Sequence, residues 1–372
     1  MYVKSLSLRG IRNYQSLELK LGPGINLFHG DNARGKTNLL EAVCYLGSLR
    51  SFRGAKASDV VSWGGKSGRI SGIAVRGAGG GAAGGTGYAA APAHMLSVGV
   101  ADGKRRVTLD GKRPSSAADY LQALKVSSFS PEDLFLVKEY PSHRRRFLDR
   151  SIFHLYPGYL ELANRYRRAL AQLNASLKAG DGEVVRAWED VLAPMAAEVN
   201  LRRKNQVSLL KGRASDIYDR VLGGGELDMS YRTPVEGGGA EELEAGYRDR
   251  LEAKRPEALR RGHCTVGPHA DDLHMTLSGR DMRAAASRGQ SRLALLALVL
   301  ADCGLYNDER GEFPVLLLDD AASELDGRRR DALMGYVATM GQALLTSTGP
   351  DMPGGAAGRR YEVEGGRVTL CG

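Results

Sequence analysis

Ile25-Asn26-Leu27-Phe28-His29-Gly30-Asp31-Asn32-Ala33-Arg34-Gly35-Lys36-Thr37-Asn38-Leu39-Leu40 is the stretch on which the fold turns. Its first four residues, mostly apolar, read as a short buried strand. Gly30 to Thr37 then matches GxxxxGK[ST], and Leu39, Leu40, Val43 and Leu46 fall on one stripe of a following helix. Strand, glycine-containing loop and helix in that order make a phosphate cradle. The glycines let successive N–H groups turn towards an anion, and the helix adds its positive N-terminal end. Gly30, Asp31, Asn32, Ala33, Arg34 and Gly35 then form the loop of an ATP site and Asn38 lies just inside the helix. Lys36 reaches the β- and γ-phosphates, and the Thr37 hydroxyl holds Mg2+. A glycine-rich chain can match the pattern by chance; the flanking strand and helix argue against that reading.

Moving outward, a nucleotide site also needs carboxylates. Val315-Leu316-Leu317-Leu318-Asp319-Asp320 is an unbroken apolar strand that delivers two acids at its C-terminal end, where open α/β sheets bind ligands. In that role Asp319 binds Mg2+ through water and Asp320 orients or deprotonates the attacking water. Taken alone, a strand ending in a solvated turn reads the same way.

The remaining chain sorts by period. Leu6 and Leu8, then Leu17, Leu19 and Leu21, alternate as paired strands, as do Ile70 to Val75 and Met95 to Leu109, with turn signals at Asp102-Gly103 and Asp110-Gly111. Between them GAGGGAAGGTGYAAAP (77–92) has almost nothing to bury and reads as a flexible surface insert. From Pro141 to about Ala214 apolar residues recur at three and four, broken at Pro157-Gly158 and at Lys178 to Gly182. That stretch reads as a helical arm, continuing less regularly to Ala253. Ala343 to Leu345 is a further short strand.

Composition bounds the class. The 372 residues are 42% apolar and carry 52 Lys+Arg against 43 Asp+Glu, a net +9 that favours a polyanionic partner without dictating a fold. Arginine-rich chains can also drift basic for no functional reason. Cys44, Cys264, Cys303 and Cys371 are scattered, which suits a reducing cytoplasm better than a disulfide framework or a metal knuckle. The first ten residues lack an apolar signal core, and the longest apolar run, Leu293 to Ala301, is too short to span a bilayer, so no membrane role is expected.

Beyond Asp320, Ser323-Glu324-Leu325-Asp326 completes LLLDDAASELD, which resembles the Walker B and D-loop of ABC-type ATPases. Upstream, Ala286-Ser287-Arg288-Gly289-Gln290-Ser291-Arg292 resembles their signature motif in the S-x-G-Q form of the SMC-like DNA-repair branch. The insert between Walker A and signature is longer than a transporter ATPase needs and lacks the sustained heptads of an SMC coiled coil. Arg12-Asn13-Tyr14, GKTNLLEAV, Ser51-Phe52-Arg53, Phe129 to Asp149 and Val266-Gly267-Pro268-His269-Ala270-Asp271-Asp272-Leu273 are similar to the RecF family.

That resemblance implies an α/β fold: an ABC-type P-loop ATPase head with a β-lobe (1–135 and 255–372) and an inserted α-helical arm (136–254). It further implies an ATP-dependent homodimer in which Ser287, Gly289 and Gln290 of one chain meet the γ-phosphate held by Lys36 of the other, with Asp326 nearby. Such a dimer clamps double-stranded DNA near single-strand gaps or junctions, slow hydrolysis releases it, and RecR and RecO join it in placing RecA. The sequence departs from the family at Arg288 and Ser291, which replace two signature glutamines, and at Ala270, which replaces an arginine. No histidine follows the last strand; Thr346 or Thr348 stands there instead. The Q-loop equivalent falls loosely at Ser130 to Asp133. A transporter-type ATPase and a binding-only clamp remain the alternatives.

DNA-phosphate contacts require several cations on one surface. Arg144, Arg145 and Arg146, the group Arg165, Arg167 and Arg168, and the run Lys104, Arg105 and Arg106 are the candidates; each could equally be a solvated or ion-paired face. Tyr166, at helical spacing, reads as core rather than as a base-stacking platform. His269, with no Cys/His pair to complete a metal set, reads as a hydrogen-bonding residue.

Overall fold

The computed structural model describes residues 1–77, 92–223, 225–323, 325–352 and 355–371. Residues 78–91 of the expected flexible insert, and Glu324, lie outside them. The described chain divides into two units, 1–134 with 216–225 and 287–372, and 135–215 with 226–286.

In the first unit the alternating segments become an antiparallel sheet of β1 (Tyr2–Ile11), β2 (Tyr14–Lys20), β4 (Ser67–Val75), β5 (Ala93–Ala101) and β6 (Lys104–Leu109), in the order β2-β1-β4-β5-β6. Period-two patterning puts Leu6, Leu8, Ile70, Leu96 and Val98 on one fully buried face. The β5–β6 turn is Asp102-Gly103, with φ of 51° and 69° at its two residues, as a two-residue hairpin of this chemistry requires. Helices α1 (Lys36–Ser48), α2 (Ala57–Val60) and α3 (Ala117–Ala123) pack against this sheet.

The second sheet holds β3 (Ile25–His29), β7 (Val126–Phe129), β11 (Val315–Leu318), β12 (Ala343–Ser347), β13 (Gly358–Glu364) and β14 (Arg367–Leu370), ordered β14-β13-β3-β12-β11-β7. All its pairings are parallel except β13–β14. Val315 to Leu318 have no exposed surface, which is why their pattern is unbroken rather than alternating. Helix α10 (Arg288–Arg310) is buried along Ser291 to Tyr306, and α11 (Gly327–Ala338) follows β11. The buried Gln342 side chain ties this sheet to the first strand, accepting from Val3 N at 2.8 Å and donating to Val3 O at 2.9 Å.

The second unit contains α4 (Phe135–Lys138), α5 (Pro141–Leu155), α6 (Tyr159–Ala179), α7 (Gly182–Asp216, whose last residue belongs to the first unit), α8 (Ala240–Arg261) and α9 (Met282–Ala285). It also holds a three-stranded antiparallel sheet, β10 (Arg280–Asp281), β9 (Asp272–Leu277) and β8 (Leu227–Arg232). Here the structure departs from the expected boundaries. The sequence places 255–286 in the head, but β9 pairs with β8 and α8 packs on α6, so 226–286 cluster with the helices and the boundary falls at 286/287. Residues 216–225 return to the first unit.

Candidate phosphate-binding site

Strand β3 ends at His29 and the chain enters the loop with φ of 142° at Gly30, 64° at Ala33 and 113° at Gly35. A Cβ on Gly30 would lie 2.5 Å from Val363 O on the neighbouring β13, and one on Gly35 would lie 2.4 Å from Asn13 Nδ2. Both positions therefore require glycine. Asp31 to Arg34 are exposed. The first turn of α1 carries no acidic side chain, and no side chain caps its N-terminus, so its amide groups stay available to an anion. Lys36 folds over its own loop, donating to Gly30 O at 2.5 Å and Asp31 O at 2.8 Å. Burial draws its pKa down, while Asp320, Asp319 and Asp31 pull it up. The cradle, the cation above it and the free helix end fit a nucleotide's phosphates.

Behind the loop stands a polar brace that sequence reasoning does not assign. Arg12, at φ 50°, forks onto the fully buried Glu41 with two 2.8 Å bonds, and the Ser51 hydroxyl donates to the same carboxylate. Asn13 donates to Arg34 O at 3.2 Å and accepts from Asn38 at 2.8 Å, and Tyr14 donates to Gly35 O at 3.0 Å. Arg53 donates to Asn38 Oδ1 at 3.3 Å and lies 3.5 Å from Glu132. Arg12-Asn13-Tyr14 and Ser51-Phe52-Arg53 thus converge on the loop and on α1. A Glu within an otherwise apolar helical stripe was the available signal.

Across the site, Asp319 Oδ1 accepts from Thr37 Oγ1 at 3.0 Å and from Thr346 Oγ1 at 2.8 Å, while Thr346 Oγ1 accepts from Asp320 N at 2.8 Å. Thr346, not the exposed Thr348, lies beside both aspartates. Burial raises the Asp319 pKa, and the two hydroxyls partly oppose it. Asp320 adopts φ 52°, and its carbonyl accepts from Arg292 of α10 and, at 3.0 Å, from Ser323. Thr37 Oγ1 and the Asp319 carboxylate stand side by side as a hard-oxygen pair of the kind that a divalent cation such as Mg2+ prefers. Among the described residues no three His, Cys, Asp or Glu side chains gather as a metal cluster.

At the N-terminus of α10, Ser287 Oγ accepts from Gln290 N at 3.2 Å and Gln290 Oε1 accepts from Ser287 N at 2.8 Å, a reciprocal capping box. Ser287, Arg288, Gly289 and Gln290 are all exposed. Ser291 is buried, and its hydroxyl donates to Ser287 O at 2.9 Å. Asp326 is exposed and caps α11 by accepting from Arg329 N at 2.9 Å. At the expected Q-loop, the buried Ser130 donates to Asp133 Oδ2 from its amide at 2.9 Å and from its hydroxyl at 3.0 Å.

The basic candidates divide. Arg144 is 2% exposed, forks onto Asp272 at 2.6 and 2.8 Å and donates to Leu136 O at 2.9 Å. It is corrected from a DNA contact to an internal brace. Arg145, half-buried, donates to Asp271 O at 2.7 Å, and burial lowers its pKa. Arg146 is exposed. Arg203 forks onto Asp149 at 2.9 and 3.1 Å and donates to Pro268 O at 2.6 Å. Residues 144–149 and 268–272 of the second unit therefore meet in one network. In it His269 Nε2 donates to Cys264 O at 2.9 Å, which leaves Nδ1 to accept from the buried Tyr166 hydroxyl at 2.7 Å. Ala270 is exposed. Lys104, Arg105 and Arg106 are all exposed, and the Arg105 side chain also donates to Leu49 O and lies 6.0 Å from the Tyr45 ring. No helix among the described residues is long and apolar enough to cross a membrane.

With this geometry in place, comparison with known proteins is specific. Residues 2–358 match the family described as RecF/RecN/SMC N terminal domain. The chain is 38% identical to the DNA replication and repair protein RecF of Anaeromyxobacter sp. (strain Fw109-5), covering 99% of each, and 35% identical to that of Myxococcus xanthus, covering 100% of this chain and 97% of the relative. A solved structure of the recombination mediator protein RecF with ATP, from the RecFOR pathway, superposes with a TM-score of 0.88 at 28% identity, covering 100% and 98% of the two chains.

Proposed function

The chain belongs to the RecF family of SMC-like ABC ATPases in DNA replication and repair, and from that premise we propose that ATP at its Gly30–Thr37 loop gates a two-copy clamp on DNA. The loop amides and Lys36 hold the β- and γ-phosphates. Thr37 and Asp319 hold Mg2+, which neutralises phosphate charge. Asp320 takes the proton of the attacking water, and Thr346 fixes both aspartates. The observation that carries the reading is the exposed capping box at Ser287 to Gln290. It is a helix N-terminus capped by its own side chains and exposed to solvent, open to a second copy's γ-phosphate. Arg292 ties that helix to the Asp320 carbonyl, so γ-phosphate loss and dimer release are coupled. Double-stranded DNA at gaps or junctions is the ligand, and RecO and RecR are the partners through which RecA is placed.

Asp320 stands where transporter ATPases carry glutamate, and its shorter reach suits slow turnover. It also favours the second reading, a binding-only clamp. Sedimentation with ATP and turnover with DNA separate the two. Lys36→Ala removes ATP-dependent dimerisation, and Asp320→Asn holds the ATP dimer. A Lys36→Ala protein that still dimerises with ATP sinks the proposal.

A further inference from the structure

Where α4 meets α5, the second unit leaves aromatic rings outside its core. Pro141 takes the first helical position of α5, where its missing N–H is no loss, and Tyr140 is the N-cap, with no side-chain hydrogen bond closing the helix end. Only Glu139 and Tyr140 separate the two helices. That short link brings Phe135, the first residue of α4, and Tyr140 to one imidazole. The Phe135 ring meets His143 edge-on with centroids 6.1 Å apart, and the Tyr140 ring lies tilted at 6.0 Å, both within the spacing of attracting aromatic pairs. Leu136 and Val137 are buried, but Phe135 is 42% and Tyr140 59% exposed. Arg146, one turn beyond His143, is exposed and forms no hydrogen bond or ion pair with a described residue. Burial and then Arg146 draw the His143 pKa down against the pull of Glu139. Its ring is therefore uncharged at neutral pH and offers a π-face.

We infer that Phe135, Tyr140 and His143 form a stacking platform for one unpaired nucleobase, with Arg146 beside it for the adjoining phosphate. The platform rests on the reading that the chain acts on DNA. It supplies what phosphate contacts lack, a means of telling a gap from continuous duplex. Inside a duplex both faces of a base are covered by its neighbours, so exposed rings gain a partner only where the strand is single. Extent favours a base over a protein partner. A stable protein interface covers about 800 Å² on each side, whereas the exposed neighbours Glu139, Ser142 and Arg146 are polar and confine the apolar surface to the rings. One base is enough to cover them.

The test is anisotropy of the full chain, without nucleotide, on three labelled DNAs: a continuous duplex, a duplex with a short gap, and the same gap with abasic residues in its unpaired strand. The wild type should bind the abasic gap about 5- to 100-fold more weakly than the normal gap, a comparison that needs no variant. Phe135→Ala/Tyr140→Ala should show the same loss on the normal gap and no further loss on the abasic one. It should bind continuous duplex and a fluorescent ATP analogue as the wild type does, and Tyr140→Phe, which keeps the ring, should match the wild type throughout. A 2-aminopurine in the gap should be quenched by the wild type and less by the double variant. Equal wild-type affinity for normal and abasic gaps, or equal losses of the double variant on gapped and continuous DNA, overturns the platform. A double variant with wild-type affinity for all three DNAs also overturns it and assigns the rings to a protein partner. The ATP-gated clamp fails separately: base discrimination without any ATP increment in affinity sinks the gate and leaves the platform standing.

Discussion

Replacing Thr346 with valine preserves its volume and deletes one hydroxyl that serves both aspartates. That hydroxyl donates to Asp319 Oδ1 and accepts from Asp320 N, each at 2.8 Å, at a residue only 6% exposed. A bond to a charged acceptor contributes about 1.5–3 kcal/mol, and an unsatisfied buried amide costs about 1–3 kcal/mol. The two losses share one relaxation, so about 2–4 kcal/mol of stability should disappear. Asp319 then keeps Thr37, at 3.0 Å, as a side-chain donor, and its already raised pKa climbs further. Mg2+-dependent affinity for ATP should fall with it. Denaturant unfolding of the wild type, Thr346→Val and Thr346→Ser, with a fluorescent ATP analogue titrated with and without Mg2+, measures both effects. Serine should restore most of each. A valine variant with wild-type unfolding and wild-type Mg2+ dependence would refute the claim that this hydroxyl organises the aspartates.

Other perturbations follow from the same geometry. Arg144→Met breaks the fork to Asp272 and should cost about 3 kcal/mol in thermal or denaturant unfolding, with the salt slope of DNA binding unchanged; a stable variant with a shallower slope would restore Arg144 as a DNA contact. Burial lifts the Asp271 pKa from 3.8 to about 6. The folded chain therefore holds more protons than the unfolded chain between those values, and stability falls by about 3 kcal/mol as pH rises through that window. Asp271→Asn should flatten that slope in pH-dependent unfolding, and a slope that persists contradicts the assignment. Gly30→Ala places a Cβ against Val363 O at φ 142°, which should strain the loop by about 1–3 kcal/mol and weaken ATP binding in direct titration.

Legibility followed from how local the physics was. The loop at Gly30 to Thr37 and the strand before Asp319 were readable because strict residue types and an unbroken apolar run leave few alternatives. The brace through Arg12, Glu41, Ser51 and Arg53 was not, because its meaning depends on side chains up to about forty residues apart meeting behind the loop. Thr346 and Thr348 could not be separated by sequence, since only the end of β12 at Ser347 decides which of them stays beside the aspartates. The run Lys104-Arg105-Arg106 looked like one patch, but strand alternation sends Arg105 to the opposite face. The helical reading that runs to Ala253 concealed β8, while β9 and β10 lie beyond it and drew no strand reading; such short, half-polar strands gain their identity only by pairing. Arg144 read as a surface cation because nothing local announces Asp272, 128 residues away.

The central claim is that nucleotide controls DNA binding, and one measurement addresses it most directly: anisotropy of the purified chain with a labelled gapped duplex, with ATP, with ADP and without nucleotide, at two salt concentrations. The account predicts tight, salt-sensitive binding with ATP, a return to the weak nucleotide-free level with ADP, and loss of the ATP increment in Lys36→Ala. Equal affinity in all three nucleotide states would leave the phosphate cradle intact as chemistry and contradict its purpose as a gate.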